Sequence, residues 1–546
     1  EPVINVPMPE EPVDDVDDPD DPDEAMDIHV PMDAEQTEQL AIGLGPAAAP
    51  PVWKLPPLNL LARSEAQSVD QRVVQEQGRT LEVALAAHGV ETRLIGATVG
   101  PTVTRFELEL GPGVKVNRVT SLSKDIAYAM ASPDVRILAP IPGRSAIGVE
   151  VPNTQRHLVA VGDILASDEA KRATHPCEVA MGRDIAGRSV MINLAQMPHI
   201  LIAGATGAGK SSCINSLITS LLMRTTPDQL RLILVDPKRV ELGQYNGLPH
   251  LLTPVVVNPK KAANALAWAV KEMEKRYDLL SEVGVRDITG YNAMYDRGEL
   301  ADVQPSRLDA EPVTYKRLPF IVIVVDELND LMMVAARDVE ESICRIAQMA
   351  RAVGIHLVVA TQRPSVNVIT GVIKANIPAR LAFAVSTMAD SRVILDQGGA
   401  ERLVGKGDLL LLGPASSNPR RIQGAWVGED EVRKVVGHWR RQSTVLVYDE
   451  SLEAGEGDPL LSGGLSGSTG DEDDDELLRQ AMELIVRSQL GSTSMLQRKL
   501  RVGFARAGRL MDLLEQRGVV GPSTGSKARE VLMTAEELDQ ALAAKA

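Results

Sequence analysis

The chain is short of cysteine and of long apolar runs. Its 546 residues include three cysteines, Cys177, Cys213 and Cys344, whose spacing excludes the common metal-binding motifs. So few cysteines fit a reducing cytosol, and one pairing among the three stays open. No stretch approaches the roughly 18 consecutive apolar residues of a membrane-spanning helix. With Glu1 as its first residue and no signal peptide, the chain is expected to be a piece of a longer protein.

Basic residues are missing from two long segments. Residues 1–53 carry 15 acidic side chains and no Lys or Arg, and residues 443–476 carry 11 and again none. Both are rich in Asp, Pro, Gly and Ser, which predicts disordered or flexible acidic linkers. The whole chain has a net charge of −17, but without those 26 acids it has 48 acidic against 57 basic residues. The rest of the chain is therefore basic enough to accept a phosphate-rich partner.

The length predicts several domains. Residues 54–165 alternate short strands with helices and indicate a small α+β domain. Residues 166–442 alternate apolar strands with helices, which predicts an α/β fold with a mostly parallel sheet. The predicted strands of that sheet are His199–Ala203, Arg231–Val235, Phe320–Val325, His356–Ala360 and Ala379–Ala384. The polar stretch 284–317 interrupts the alternation and is predicted to be a surface insertion.

The last segment, residues 477–546, has a different pattern. Three amphipathic helices are predicted at Leu477–Arg487, Ser494–Leu500 and Phe504–Arg517. Two short strands, at residues 518–520 and 530–533, follow around a loop. Three helices followed by a β-hairpin is the order of a winged helix.

A phosphate-binding loop lies in the middle of the α/β region. The sequence Gly204-Ala205-Thr206-Gly207-Ala208-Gly209-Lys210-Ser211 fits the pattern G-x-x-x-x-G-K-[ST], after a predicted strand and before a predicted helix. In that setting backbone N–H groups and the helix N-terminus face the phosphates of a nucleoside triphosphate. Lys210 is expected to reach the β- and γ-phosphates, and the Ser211 hydroxyl to bind Mg²⁺. The predicted nucleotide-binding residues run from Gly204 to Ser212: Gly204, Ala205, Thr206, Gly207, Ala208, Gly209, Lys210, Ser211 and Ser212.

Two carboxylates and an amide complete the predicted hydrolytic site. The strand Phe320–Val325 ends in Asp326 and Glu327, as a Walker B motif does. Asp326 is expected to hold Mg²⁺ and Glu327 to polarise the attacking water. Gln362 follows the next strand and is a candidate sensor of the γ-phosphate. Solvated acids at a strand end, and a polar strand cap at Gln362, are the structural alternatives.

With these motifs in place, the sequence resembles the cytoplasmic motor of the FtsK/SpoIIIE family of bacterial DNA translocases. The similarity extends from about Lys54 to about Leu532, without the family's N-terminal membrane part. Eight sequence strings carry it: residues 54–58, 113–116, 197–199, 249–255, 260–266, 360–365, 368–371 and 373–378. The string Ala360-Thr361-Gln362-Arg363-Pro364-Ser365 is the most specific of them.

The resemblance implies three modules: a small alpha domain, a RecA-like P-loop beta motor, and a winged-helix gamma domain that binds DNA. It implies a homohexameric ring around double-stranded DNA, driven by ATP and Mg²⁺. Arg351 stands at the family's arginine-finger position, where it would reach the neighbouring subunit's nucleotide. A cation complementing a helix dipole is the alternative at Arg351.

The resemblance also places cations against DNA. Arg363, Lys374 and Arg392 occupy the channel-facing strings, where contacts to backbone phosphates suit movement that ignores sequence. Taken singly, each also fits an ordinary surface cation. Met388 stands where many members carry Lys, which weakens the expected grip of the second DNA loop.

In the gamma domain the resemblance implies a DNA reader. Arg506 and Arg509 lie about one helical turn apart and could reach guanine edges in a major groove. Lys527 and Arg529 belong to the predicted wing and would contact phosphate. Ala505 replaces an Asn of many relatives, so the recognition sequence stays open, and a protein-docking role is the alternative for this module.

These expectations add up to an ATP-dependent double-stranded DNA translocase in chromosome segregation at cell division. The family association adds tyrosine recombinases at the chromosome terminus and division proteins as partners. It implies a cytoplasmic location for this piece and the bacterial inner membrane at the septum for the full-length protein. A secretion or conjugation ATPase, and an ATP-switched DNA-binding regulator, are the alternatives.

Overall fold

The computed structural model forms two compact units, residues 1–458 and 459–546. It describes residues 3–5, 53–64, 70–302, 315–443, 448–449, 452, 471–488, 492–500, 510–511, 513–515, 519–521, 529 and 531–534. Among these residues, no helix combines the length and apolarity that a membrane span requires. The three cysteines are all buried and none is in a disulfide, so the open question of a pairing is answered.

A five-stranded sheet lies in the N-terminal part of the first unit, with strand order β1-β2-β3-β5-β4. Its strands are β1 (Val3–Asn5), β2 (Thr92–Val99), β3 (Val103–Leu110), β4 (Arg136–Leu138) and β5 (Ile147–Pro152). The helices of this part are α1 (Gln71–Ala87), α2 (Val116–Ser121) and α3 (Ser123–Ala129). Helix α1 buries Leu81 and Leu85 in a core that includes Phe106 and Leu108 of β3. Strand β1, which pairs in parallel with β2, falls within the predicted acidic linker.

A nine-stranded sheet forms the larger part of the first unit, in the order β7-β6-β14-β13-β12-β8-β11-β10-β9. Its strands are β6 (Glu178–Asp184), β7 (Ser189–Asn193), β8 (His199–Ala203), β9 (Leu230–Val235), β10 (Phe320–Val325), β11 (Ile355–Thr361), β12 (Ala379–Phe383), β13 (Asp408–Leu412) and β14 (Arg420–Gly424). Strands β12, β8, β11, β10 and β9 are parallel, and the others join antiparallel. The predicted α/β sheet is confirmed, and two predicted strands, β8 and β10, have the predicted bounds.

Helices cover both faces of the parallel strands. They are α4 (Val161–Ala166), α5 (Asp168–Arg172), α6 (Lys210–Arg224), α7 (Pro259–Val283), α8 (Ile288–Asp296), α9 (Leu328–Met349), α10 (Gly371–Asn376), α11 (Met388–Leu395) and α12 (Glu429–Gln442). Successive residues of a strand face opposite sides of a sheet. Accordingly, Ile200 and Ile202 belong to one core with α6, while Leu201 and Ala203 belong to a second core with α7 and α9. Burial on both faces explains why these strands read as continuous apolar runs.

The polar stretch 284–317 is not merely a surface insertion, so that prediction was wrong for its described part. Helix α8 buries Tyr291 and Asn292. The Asn292 amide donates to the carbonyl of Leu318 at 2.8 Å and accepts from its N–H at 2.9 Å, and the Tyr291 hydroxyl donates to the carbonyl of Lys316 at 3.0 Å. These polar groups can be buried because each is paired.

The second unit contains α13 (Asp471–Ser488) and α14 (Thr493–Leu500), helical residues at 510–511 and 513–515, and a bridge between Val520 and Val531. Leu496, Met511 and Leu514 lie in its core with Ile485. The described elements agree with the predicted order of helices and hairpin. Helix α13 starts six residues before the prediction, in the acidic run 471–476, where acids suit the positive end of a helix.

Candidate nucleotide-binding site

The glycine-rich loop connects β8 to α6 at the carboxyl edge of the parallel strands. Thr206 and Gly207 are exposed at the crest of the loop, and Lys210 is the first residue of α6. Gly209 has φ of 119°, and a Cβ atom there would lie 2.5 Å from the backbone nitrogen of Gly407. The same Gly407 N–H donates to the carbonyl of Ala208 at 2.9 Å. The loop is thus shaped both by its own glycines and by a segment almost two hundred residues away.

Lys210 is buried beside the carboxylate that ends β10. Its ammonium donates to the carbonyl of Asp326 at 2.6 Å and to the Asp326 carboxylate. Burial raises the pKa of Asp326, and the Lys210 ammonium opposes that rise. The structure therefore brings together two residues that lie 116 positions apart and that the sequence analysis assigned to one site.

Ser211 contacts a carboxylate that the sequence analysis did not include in the site. Its hydroxyl donates to Glu241 Oε1 at 2.8 Å. The N–H groups of Glu241 and Leu242 donate to Asp236 Oδ2 at 3.0 and 2.9 Å, so the residue that ends β9 fixes the loop carrying Glu241. Asp236 at the strand end was the available signal, but nothing in the sequence spacing assigned Glu241 to Ser211.

The donor set fits Mg²⁺ beside nucleotide phosphates. Asp326 Oδ2 is buried with no hydrogen-bond partner among the described residues, and the Ser211 hydroxyl lies in the first turn of α6. Within the described part of the chain, no three His, Cys, Asp or Glu side chains form a ready metal cluster. Mg²⁺ beside a nucleotide takes one or two protein oxygens and completes its shell with water and phosphate.

Glu327 has both carboxylate oxygens occupied. Oε1 accepts from the Thr361 hydroxyl at 2.6 Å, Oε2 accepts from the Lys238 ammonium at 3.0 Å, and the N–H of Gln362 lies 3.2 Å from Oε2. Burial alone would raise the pKa of Glu327, but these hydrogen bonds hold it below its ordinary value. Glu327 is therefore an ionised carboxylate held by neighbouring donors. Of these neighbours, neither Thr361 nor Lys238 was assigned a role in the site by the sequence analysis.

Gln362 lies between Glu327 and the phosphate loop. Its side-chain Oε1 accepts from the Thr206 hydroxyl at 3.1 Å, while its backbone N–H contacts Glu327. The amide is thus next to the crest of the loop, where the terminal phosphate of a bound nucleotide would lie. This position is compatible with the predicted sensor role.

The other predicted cations of the first unit have different surroundings. Arg351, just beyond the end of α9, is exposed, as are Arg363 and Arg392, and none of the three has a side-chain ion pair among the described residues. Lys374 instead forms an ion pair with Asp396, which also accepts from Arg380. The charge of Lys374 is thus partly neutralised within the chain.

Most of the predicted DNA-reading residues of the second unit, Arg506, Arg509 and Lys527, lie outside the described residues. Arg529 is described, and its guanidinium donates to Glu515 at 2.6 Å and to the carbonyl of Met511 at 3.2 Å. The wing cation is therefore engaged with the helical segment before the hairpin.

Comparison with known proteins finds three family models along the chain. The FtsK/SpoIIIE family matches residues 160–366, the FtsK alpha domain residues 55–153, and the Ftsk gamma domain residues 472–534. The DNA translocase FtsK of Streptomyces avermitilis is 54% identical over 494 residues, which are 90% of this chain and 53% of that protein. The DNA translocase FtsK of Mycobacterium tuberculosis is 50% identical over 498 residues, which are 90% of this chain and 58% of that protein. The chain spans about half the length of these relatives.

The solved structures that match this chain have lower sequence identity to it than these relatives do. The monomer of the pCW3 conjugation coupling protein TcpA is 22% identical with a TM-score of 0.44, covering 66% of this chain and 99% of that one. The cytoplasmic domain of the Thermomonospora curvata type VII secretion ATPase EccC is 23% identical with a TM-score of 0.42, covering 54% of this chain and 35% of that one.

Proposed function

Because the chain belongs to the FtsK/SpoIIIE family, we propose that it is an ATP-dependent double-stranded DNA translocase acting in chromosome segregation at cell division. The observation that carries this proposal is the convergence of Lys210, Asp326, Glu327 and Gln362 at the phosphate loop. A nucleotide-binding site with a separate carboxylate for each task suits repeated hydrolysis better than a one-time switch.

Hydrolysis would use each of these groups in turn. Lys210 and the loop N–H groups hold the β- and γ-phosphates, and Gln362 contacts the γ-phosphate. The attacking water oxygen bonds to the γ-phosphorus as the bond to the bridging oxygen breaks, and ADP leaves with that electron pair. Glu327 orients this water and accepts its proton. Mg²⁺, held by Ser211 and Asp326, would neutralise phosphate charge in this step.

The proposed assembly is a homohexameric ring. Arg351 would reach the nucleotide of the adjacent subunit and stabilise the charge that builds up on the transferred phosphoryl group. An exposed and unpaired guanidinium is compatible with such a contact across subunits. Arg363, Lys374 and Arg392 would grip DNA phosphates in the channel, with Arg363 and Arg392 the freer cations.

The gamma domain is proposed to read orienting DNA sequences. Arg506 and Arg509 would contact base edges, while Lys527 and Arg529 contact phosphate. For Arg529 this requires exchange of its Glu515 partner for a phosphate oxygen. We further propose a full-length protein in the bacterial inner membrane at the septum, with division proteins and tyrosine recombinases as partners.

The first test is ATP hydrolysis by the purified chain with and without long double-stranded DNA. We expect strong stimulation by DNA, and we expect Lys210→Ala to abolish turnover because it removes the cation that binds the β- and γ-phosphates. Gamma-domain binding to DNA should survive in Lys210→Ala, and an unchanged circular dichroism spectrum checks that the unit carrying Lys210 is folded. Displacement of a triplex strand then tests movement. Slow turnover that ignores DNA would contradict the proposal and favour a secretion motor or a nucleotide switch.

A further inference from the structure

Lys238 has a place in the site that the hydrolysis scheme does not use. It lies three residues beyond the end of β9, in an exposed turn, with 40% of its side chain exposed. Its ammonium is 3.0 Å from Glu327 Oε2, whereas the Glu327 side chain is only 1% exposed. A cation at the surface thus reaches in to the carboxylate that is to accept a proton from water.

The hydrogen bond from Lys238 competes with the water that Glu327 would have to bind as a general base. A general base must have an oxygen free to accept from the water that it activates. Oε1 is occupied by Thr361 and Oε2 by Lys238, with the N–H of Gln362 close to both oxygens. Thr361 and the Gln362 N–H belong to the strand β11 and its end, so they are fixed by the sheet. Lys238 is the donor that can leave without disturbing a strand.

The turn that carries Lys238 is conformationally strained. The next residue, Arg239, has φ of 59°, in the left-handed region that residues other than glycine rarely adopt. Val240 follows with 75% of its surface exposed. A strained and exposed turn can rearrange at lower cost than a packed one.

The electrostatic interaction between Lys238 and Glu327 also favours this competition with water. Partial burial alone would lower the pKa of Lys238, but the Glu327 carboxylate raises it. Removal of the ammonium would leave Oε2 with the N–H of Gln362 as its donor, so that one lone pair of this oxygen becomes available to water.

We propose that Lys238 is a positioning residue that occupies Glu327 in the resting motor and restrains hydrolysis until the ammonium is drawn away by a DNA backbone phosphate. The inference rests on the proposed function, since it assumes that Glu327 activates water and that DNA stimulates turnover. The exposed position of Lys238, next to the cationic Arg239, is suited to an anionic competitor.

The experiment compares Lys238→Met with the unaltered chain. We expect DNA-free ATP turnover to rise about tenfold, as expected for losing one charge-assisted hydrogen bond. The DNA-stimulated rate should stay within about twofold, because the ammonium has already left in that state, so the stimulation ratio falls. The rise should appear in kcat, with KM for ATP little changed, because Lys238 contacts the carboxylate that acts on water and, among the described residues, has no contact with the phosphate loop. A purely structural role for Lys238 would not raise kcat.

Two matched variants complete the test. Lys238→Arg keeps a cation and should keep DNA-free turnover low. Arg239→Met removes the adjacent charge but not the contact with Glu327, so it should leave DNA-free turnover unchanged. DNA-free turnover that is equal or lower in Lys238→Met, or that rises as much in Lys238→Arg as in Lys238→Met, would overturn the inference. The proposed function is judged separately, on stimulation and triplex displacement by the unaltered chain, so failure of the inference leaves the proposed function standing and the two failures are distinguishable.

Discussion

Two glycines of the phosphate loop are constrained in different ways, one of them by a segment outside the loop. Gly207 and Gly209 both have positive φ, at 77° and 119°. They differ in their surroundings, since a Cβ at Gly207 would meet nothing within 4 Å, whereas one at Gly209 would meet the Gly407 backbone at 2.5 Å. Replacing each of these glycines by alanine therefore distinguishes the cost of a positive φ from the cost of a steric clash with the Gly407 backbone.

Gly209→Ala should weaken nucleotide binding by more than tenfold, because the loop has to move away from the Gly407 backbone. Gly207→Ala carries only the strain of a left-handed residue, roughly 1–2 kcal/mol, and should retain most of the affinity. Titration with a fluorescent ATP analogue measures both. Equal losses in the two variants would contradict the role of the Gly407 contact.

Pairs of strands are connected by a buried ion network between the two sheets. Arg421 on β14 donates to Asp408 on β13 at 2.6 and 3.0 Å, and to Glu150 on β5 at 2.8 Å. Burial alone would raise the pKa of Glu150, but Arg421 and Arg136 hold it low. Asp408 also accepts from the N–H of Val404, at the start of the segment that supports the phosphate loop. The network thus connects the small α+β part to the nucleotide site.

Arg421→Met should lower the free energy of unfolding by about 3–5 kcal/mol, because it leaves two carboxylates buried with too few partners. The matched variant is Arg420→Met, on the next residue of the same strand, whose side chain is 51% exposed and pairs with Asp184. Arg420→Met should lower the free energy of unfolding by less than about 1 kcal/mol. Urea denaturation followed by circular dichroism gives both values. Comparable losses would mean that burial of the network contributes little.

The complete fold buries three histidines in neutral form. Burial lowers the pKa of His199, His250 and His356, in each case to about 3. In the unfolded chain the same imidazoles take up protons near pH 6.5. As pH falls from about 6.5 toward 3, the unfolded state therefore binds more protons than the folded one, and stability is lost.

We expect each of these histidines to reduce the free energy of unfolding by up to about 1.4 kcal/mol per pH unit below 6.5. The window between pH 6.5 and 5 isolates the effect from paired carboxylates such as Glu150, whose low pKa acts only at lower pH. Asp326 opposes it, because a raised pKa favours the folded state as pH falls. Melting temperatures from pH 7 to 5 test this. A flat profile would mean that the buried imidazoles take up protons in the folded state.

Much of this molecule could be read from consecutive residues. The phosphate loop, the carboxylates after β10 and the amide after β11 are local motifs, and β8 and β10 have the predicted bounds because strands buried on both faces form unbroken apolar runs. Residues at the carboxyl ends of neighbouring parallel strands meet at one edge. The phosphate-loop and Walker B motifs assigned Lys210, Asp326 and Glu327 to one site, and this rule added Gln362 to it.

The sequence does not predict contacts between segments whose spacing along the chain follows no motif or periodicity. Three contacts are of this kind. Glu241 accepts from Ser211, 30 positions away, and Lys238 donates to Glu327, 89 positions away. Arg421, which also pairs with Asp408, donates to Glu150, 271 positions away. Burial of Asn292 in a polar stretch belongs with them. Local periodicity reports which face of an element is apolar, so it predicts strands, helices and the motifs at their ends. Partners of a charged or polar group depend on which loops the sheet order brings side by side, and that order arises only when the chain has folded.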